Sequence, residues 1–248
     1  MQLNKSLIIP CKDEGENFVH IYNNFHKKLS KNTEIIIVLD DTEDSTYEHL
    51  KNNVHENTKI EFSNSGGPAS AIKYGISKSS GNIVCIAMGD GSDDPDQVES
   101  LFGLVERGVD VAVASRYSKG GKYIGKKGLK YYLSKTSGIF LFYFLRVGTK
   151  DSTNMYKAYS KKFLEEVKIE SDNGFTLGLE MVVKAKLYRK TIVEIPTIWI
   201  DREFGESKFN MKKFLPSYLY WVKVLIFRNK LWKKFYLQVP KDLLVPML

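Results

Sequence analysis

The chain has 248 residues, of which 37 are Lys or Arg and 29 are Asp or Glu, a formal charge of +8. That length allows one large domain, or a domain with an appendage, around a substantial core, and the charge points to an anionic partner or surface. No stretch reaches the ~20 apolar residues that cross a bilayer, the first ten residues lack the basic region and apolar run of a signal peptide, and the two cysteines, Cys11 and Cys85, suggest neither a disulfide nor a zinc site, as in a reducing cytoplasm.

Leu7 to Pro10 reads as a short buried strand, followed by the loop Cys11–Gly15. Phe18, Ile21, Tyr22, Phe25 and Leu29 recur at helical spacing and mark one face of a helix. Glu34 to Leu39 (EIIIVL) is a second strand, ending in Asp40 and Asp41, and the loop DDTEDST leads into a short helix. Lys59 to Phe62 is a third, weaker strand, and Gly66-Gly67-Pro68 opens a helix from Ala69 to about Ser79.

The stretch from Gly81 to Arg116 organises the chain. Ile83 to Ala87 fits a buried strand of a parallel sheet. It ends in a turn holding Asp90, Asp93 and Asp94, and Pro95 then opens a helix to Arg107 with Val98, Leu101, Phe102 and Val105 on one face. Val109 to Ala114 is the next strand and delivers Arg116 to its carboxyl end. Carboxylates and an arginine at the carboxyl ends of adjacent parallel strands occupy the crevice where open α/β sheets bind ligands. Acids there suit a hard divalent cation, arginine suits phosphate, and the two together suggest a nucleotide. Asp93 or Asp94 is expected to cap the helix, while Asp90 lies too far upstream to do so. Strand and helix alternate with crossovers of βαβ length, so the first ~115 residues read as a parallel α/β sheet. No G-x-G-x-x-G follows the first strand, which disfavours a dinucleotide site of the Rossmann kind.

Beyond Arg116 the pattern changes. Lys119, Lys122, Lys126, Lys127, Lys130 and Lys135 occur with no acid among them and with interleaved glycines, as in a mobile phosphate-handling loop running into a helix, Leu129 to Val147. A solvated charge run is the competing reading. Asp151 to Tyr159 looks like an edge strand, Lys161 to Val167 a short helix, and Thr176 to Tyr188 a helix whose Glu180 needs a partner or a raised pKa. Thr191 to Ile200 is a strand, Asp201 to Lys208 a polar loop, and the rest is helix or tail rich in aromatic and basic residues. Residues 1–213 are expected to form the main domain and 214–248 its aromatic and basic appendage.

Taken together, the segments PCKDE (10–14), VLDDTEDST (38–46), GGPASAIKYG (66–75), GNIVCIAMGDGSDDP (81–95), SRY (115–117), DSTNMYKAY (151–159) and DREFGESK (201–208) resemble, in order and spacing, the inverting GT-A glycosyltransferases. The likeness is to the dolichol-phosphate mannose synthase type and its bacterial polyprenyl-phosphate relatives, whose corresponding motifs include P-T-Y-N-E, V-D-D-G-S-x-D-G-T, D-x-D and D-R-x-x-G-x-S-K. It implies a GT-A fold, a mainly parallel central sheet flanked by helices, with amphipathic helices at the C-terminus. It implies a glycosyltransferase moving a sugar from a nucleotide diphospho-sugar to a polyprenyl phosphate, with Mg2+ or Mn2+ as cofactor. Asp40 would contact the nucleoside, with Pro10 and Glu14 lining the same pocket. Asp90 would hold the metal against the diphosphate, and Arg116 would meet the acceptor phosphate. Arg202, Ser207 and Lys208 would come from a loop that closes on the phosphates.

This chain departs from the motifs at several positions. Met88 takes the first acid of D-x-D, and a thioether is a poor ligand for a hard cation, so Asp93 is the acid available to substitute. Leu39 replaces the first acid of the D-D pair. Two other readings remain beside the polyprenyl-phosphate enzyme. One is a transferase acting on a hydroxyl of a cell-envelope glycan or lipid-linked saccharide, with Glu180 or Asp94 as base; the other is a degenerate homologue that binds nucleotide without turnover. A lipid acceptor also implies peripheral attachment to the cytoplasmic face of a membrane. Tyr131–Val147 and Phe214–Tyr236, where aromatic residues neighbour Lys and Arg, are the candidate contacts, with packing on the domain as the alternative. No nucleic-acid partner is expected; a membrane-embedded partner or a second copy is.

Overall fold

The computed structural model describes residues 4–64, 67–172, 174–201 and 211–236. Its centre is a seven-stranded sheet in the order β3-β2-β1-β4-β7-β5-β8. The strands are β1 (Lys5–Pro10), β2 (Thr33–Leu39), β3 (Thr58–Phe62), β4 (Ile83–Ile86), β5 (Val111–Ser115), β7 (Lys157–Ser160) and β8 (Ile192–Pro196). All pair in parallel except β7, which is antiparallel to both β4 and β5.

The central strands are apolar on both faces because helices cover both. Leu7 and Ile9 of β1 and Ile35 and Ile37 of β2 pack with α1 (Asn17–Lys28), α2 (Ser45–Leu50) and α4 (Val98–Glu106). The alternate residues Ile8, Ile36 and Val38 face α3 (Pro68–Lys78), α6 (Lys161–Glu166) and α7 (Gly174–Leu187). A third cluster joins α5 (Leu129–Leu145), α7 and α8 (Met211–Tyr236) through Leu141, Leu179, Val182, Trp221 and Leu225. The helix expected from Pro95 begins as a single 3-10 turn, Pro95–Gln97, and Val98, Leu101, Phe102 and Val105 are its buried face as read.

Four expectations need correction. The Asp151–Tyr159 segment is not an edge: β7 lies between β4 and β5, so the strands that deliver Asp90 and Arg116 are not direct neighbours. Within it Lys157 is fully buried and its ammonium donates to the carbonyls of Ser152 and Asn154. The basic stretch after Arg116 is not all loop, since Lys122–Ile124 forms β6. The strand expected over Thr191–Ile200 divides at Thr197: β8 stays in the main sheet, while β9 (Ile198–Ile200) pairs with β6 in a separate two-stranded sheet. Finally, Trp221 does not face outward; it is 4% exposed, packed in the α7–α8 cluster with the Lys184 ammonium 5.1 Å from its ring centre.

Candidate functional site

The loops after β1 and β2 are fastened to each other. The Asp44 carboxylate caps α2 by accepting from Thr46 N at 2.8 Å and also accepts from Asp13 N. Thr46 Oγ1 accepts from the backbone N–H groups of Glu14 and Gly15 at 3.1 and 3.3 Å. The loop that carries Pro10 to Glu14 is thereby fixed by the DDTEDST segment, with Asp13 held at φ 56°. Across it, the Lys12 ammonium donates to the Asp40 carboxylate. Burial pushes the Cys11 thiol up, which leaves it a small apolar wall residue.

The three acids after β4 have three separate jobs. Asp94 caps the 3-10 turn by accepting from Asp96 N at 3.0 Å. Asp93 is 3% exposed and braces the turn from inside: its Oδ2 accepts from Met88 N at 2.9 Å. Its Oδ1 is buried with no hydrogen-bond partner among the described residues. Burial, with Asp90 and Asp151 nearby, pushes the Asp93 carboxyl up to about 7. Asp90 faces the cavity, its Oδ1 accepting from Ser92 N at 3.1 Å and Ser92 Oγ at 2.6 Å.

A divalent ion fits this turn in one particular way. Among the described residues no three His, Cys, Asp or Glu side chains converge, so the protein builds no closed cage. Mg2+ and its like are commonly held by one or two carboxylates, the remaining ligands being water and substrate phosphates. Asp90 on the cavity wall suits that arrangement, and the unpartnered Oδ1 of Asp93 is the second carboxylate oxygen close behind it.

Arg116 leaves the end of β5 into a buried ion pair with Asp151. Ser115 O lies where a side chain on Gly121 would sit, 2.4 Å from its Cβ, so glycine is needed for the chain to fold back beside Arg116. The guanidinium stands 5.0 Å from the ring centre of Tyr117 and 5.6 Å from that of Trp199. Tyr123 of β6 stacks on Trp199 of β9 at 4.8 Å. The basic stretch thus contributes Tyr123 and Tyr131 to the cavity wall.

These parts line one cavity of about 490 Å³. Pro10, Glu14, Asp40, Asp90 and Arg116 line it, together with the apolar Leu133 and Leu141 of α5 and Leu215, Leu219 and Val222 of α8. Arg116 reaches α5, its Nη2 donating to Ser134 Oγ at 3.4 Å. The site residues expected from the sequence at Pro10, Glu14, Asp40, Asp90 and Arg116 are brought to this one space, whereas Asp93 lies behind the wall. Arg202, Ser207 and Lys208 lie outside the described residues. Glu180 is fully buried away from the cavity; it accepts from Glu170 N and Ser171 N, both at 2.7 Å, and pairs with Lys184 at 2.7 Å. It holds a loop on α7 and is not placed to act as a base, nor is Asp94 in its capping role.

Four residues on or behind this wall carry no role in the sequence reading: Lys12, Asp151, Trp199 and Asp201. Asp151 had the clearest signal, as the acid that opens DSTNMYKAY. Asp201 lines the cavity with its carboxylate 3.4 Å from the Tyr123 hydroxyl. The turn and β9 are also stitched together: Ile200 N donates to Ser92 O at 3.1 Å, and Asp93 forms a bridge with Trp199.

Comparison with known proteins gives three findings. The model of the family described as "Glycosyl transferase family 2" matches residues 6–168. The dolichol-phosphate mannosyltransferase of Pyrococcus furiosus is 30% identical over 219 residues, 84% of this chain; the match spans 59% of that relative's length. The polyprenol monophosphomannose synthase of Mycolicibacterium smegmatis is 28% identical over 215 residues, 82% of this chain and 80% of that one. Among solved structures, glucosyl-3-phosphoglycerate synthase from Mycobacterium tuberculosis in complex with Mn2+, UDP and glucosyl-3-phosphoglycerate superposes with a TM-score of 0.66, at 13% identity, over 91% of this chain and 79% of that chain. The same protein with Mg2+ and UDP gives the same TM-score. These likenesses identify the fold as the GT-A glycosyltransferase fold, with a mostly parallel sheet.

Proposed function

The chain belongs to glycosyl transferase family 2, and on that premise we propose that it moves a sugar from a nucleotide diphospho-sugar to a polyprenyl phosphate of dolichyl or undecaprenyl type, with inversion. One observation carries the reading: a single cavity is lined by the acids Asp40 and Asp90, by Arg116, and by apolar side chains of α5 and α8. The acids suit a nucleotide sugar and its metal, the arginine a phosphate, and the apolar side chains an isoprenoid chain. The names of the two relatives support the same acceptor class.

The transfer is a displacement at the anomeric carbon. An oxygen of the acceptor phosphate supplies the electron pair, the bond to the donor's diphosphate breaks, and the negative charge departs with the nucleoside diphosphate. The acceptor is already anionic at neutral pH, so no strong general base is required. Arg116 orients it: Asp151 occupies Nε and one side of Nη2, Ser134 Oγ accepts from Nη2 at 3.4 Å, and Nη1 is left for a phosphate. Asp90, with Asp93 behind it, would hold Mg2+ or Mn2+, which when bound neutralises charge on the diphosphate. Arg202, Ser207 and Lys208 complete the phosphate contacts in this proposal.

Among the described residues no helix is long and apolar enough to cross a membrane. In this reading the lipid acceptor brings the enzyme to a membrane surface, at its cytoplasmic face. Exposed Phe140, Tyr143 and Phe144 of α5 and Tyr220 and Phe227 of α8 lie on the two helices that supply the cavity's apolar side chains, and suit the headgroup boundary.

Asp201 favours a second reading. Its carboxylate lines the same cavity, 3.4 Å from the Tyr123 hydroxyl, and could deprotonate a hydroxyl acceptor. The test of both is turnover of UDP- and GDP-hexoses with short polyprenyl phosphates and, in parallel, with lipid-linked saccharides, followed by mass spectrometry and anomeric NMR. Sugar on the lipid phosphate with inverted configuration is expected; transfer only to hydroxyls overturns the first reading in favour of the second.

A further inference from the structure

We propose that Lys157 is a positioning residue for the acceptor: from the middle of the sheet its ammonium ties down the turn Ser152–Asn154, and through that turn it fixes the aim of Arg116. The assignment rests on the polyprenyl-phosphate reading above and names what holds the arginine of that reading in place.

Lys157 lies on β7 opposite Ile86 of β4 on one side and Val113 of β5 on the other. Both neighbours are apolar and packed with Leu177 and Met181 of α7. A strand buried on both faces ordinarily carries apolar residues at such a place. The lysine is nevertheless fully buried, and its ammonium folds back to donate to Ser152 O and Asn154 O. Burial works against the ammonium charge, and the Asp151 carboxylate works for it. A buried charge is weak evidence of stability in itself, so the turn it holds is the better guide to its purpose.

That turn is confined from behind. A Cβ on Gly178 of α7 would stand 2.9 Å from Thr153 O and 3.0 Å from Asn154 O, so the helix lies directly on it. On its open side Thr153 and Asn154 line the cavity. The turn then reaches Arg116 by three routes. Asp151, the residue before it, grips the guanidinium. Thr153 Oγ1 lies 3.0 Å from Ser134 Oγ, which accepts from Arg116 Nη2 at 3.4 Å. Asn154 Nδ2 donates to Ala114 O at 2.8 Å, two residues before Arg116 on the chain. An ammonium is well suited to hold such a turn, because it has three donors and needs no acceptor of its own. Without it two buried carbonyls lose their partner, and the turn can relieve them only by moving.

The test is steady-state transfer from UDP- and GDP-hexoses to farnesyl phosphate by the full chain, Lys157→Met and Lys157→Arg, with UDP and GDP affinity measured by calorimetry. Lys157→Met should raise the acceptor KM at least about tenfold, within what a small misplacement of a positioned group costs, and leave nucleotide affinity within about twofold. Lys157→Arg, which keeps charge and donors, should recover most of the loss. A folded Lys157→Met with the wild-type acceptor KM, or with equal losses toward both substrates, overturns the assignment and leaves the polyprenyl-phosphate reading standing. A wild type that transfers nothing to farnesyl phosphate overturns that reading and this assignment together. Should Lys157→Met fail to fold, the wild type labelled with 15N-lysine decides: the Lys157 Nζ resonance should shift when farnesyl phosphate binds, and a resonance that stays in place overturns the assignment.

Discussion

Asp151 grips Arg116 at two points: Oδ2 accepts from Nε at 2.8 Å and Oδ1 from Nη2 at 2.7 Å, while Oδ2 also accepts the Arg116 backbone N–H at 2.9 Å. The carboxylate is fully buried and the guanidinium 11% exposed. A fork held this way is aimed by the protein before any ligand arrives.

Asp151→Asn keeps the shape and removes the charge. The expected result is a rise in KM for the acceptor phosphate and a fall of about 100-fold in kcat/KM, comparable to losing one transition-state donor. Affinity for the nucleotide, measured by calorimetry, should change less than about twofold, because Asp151 is not among the residues that line the cavity. Asp151→Ala should in addition destabilise the fold by about 3–5 kcal/mol, since it leaves a buried guanidinium unpaired.

Asp90→Ala and Asp93→Ala should fail differently. Asp90 lies in a turn on the cavity wall, so its loss should lower transfer by about 100-fold or more and abolish the extra thermal stabilisation that Mn2+ gives in the presence of UDP, with the apo melting temperature retained. Asp93 braces Met88 N from a buried position, so its loss should lower the apo melting temperature. If Asp93→Ala also removes the metal response, Asp93 has taken over from the acid that Met88 replaces; if only stability falls, it is a brace.

The acid limb of stability should report Glu34. Burial works against its charge, but hydrogen bonds from Ser6, Ser80 and Lys59 outweigh it and hold the carboxyl at about 2, below its ordinary 4.5. A depressed folded-state value means the unfolded chain binds the proton first. The contribution is therefore complete above about pH 5 and is lost as pH falls toward about 2. Glu34→Gln should flatten that part of a melting-temperature profile while leaving the profile near pH 7 parallel to the wild type.

Anionic vesicles should co-sediment more of the full chain than neutral ones, since each basic residue near the surface contributes about 1 kcal/mol. Phe140→Ser with Phe144→Ser, and separately Tyr220→Ser with Phe227→Ser, should each reduce pelleting without changing the melting temperature, as all four side chains are exposed. Truncation at Lys213 is the poorer probe, because α8 buries Trp221 and Leu225 against α7. Equal pelleting by the wild type and both double variants would show that these aromatics make no membrane contact.

Much of the fold could be read because its strongest signals are local. Apolar runs in β1, β2 and β4 and the helical spacing of Phe18, Tyr22 and Phe25 each lie within a few residues. What escaped depends on distant partners. β7 carries a lysine in the middle of the sheet, and only carbonyls folded over the Lys157 ammonium make its burial tolerable. β6 and β9 are three residues each and exist because they meet. The division of labour among Asp90, Asp93 and Asp94 was partly visible, since Pro95 marks the cap, but which acid turns inward is decided by Met88 N. Trp221 and its exposed neighbour Tyr220 have the same aromatic character in sequence, and α7 selects between them.

The hydrogen bond from Ile200 N to Ser92 O joins the turn that presents Asp90 to the strand that hands the chain on to residues 202–208. One peptide group thus serves as the mounting point for donor chemistry and for the segment expected to answer it. The position of the Asp90 turn is set from the β9 side as well as from its own strand, and a change at either end of this short backbone link bears on the other.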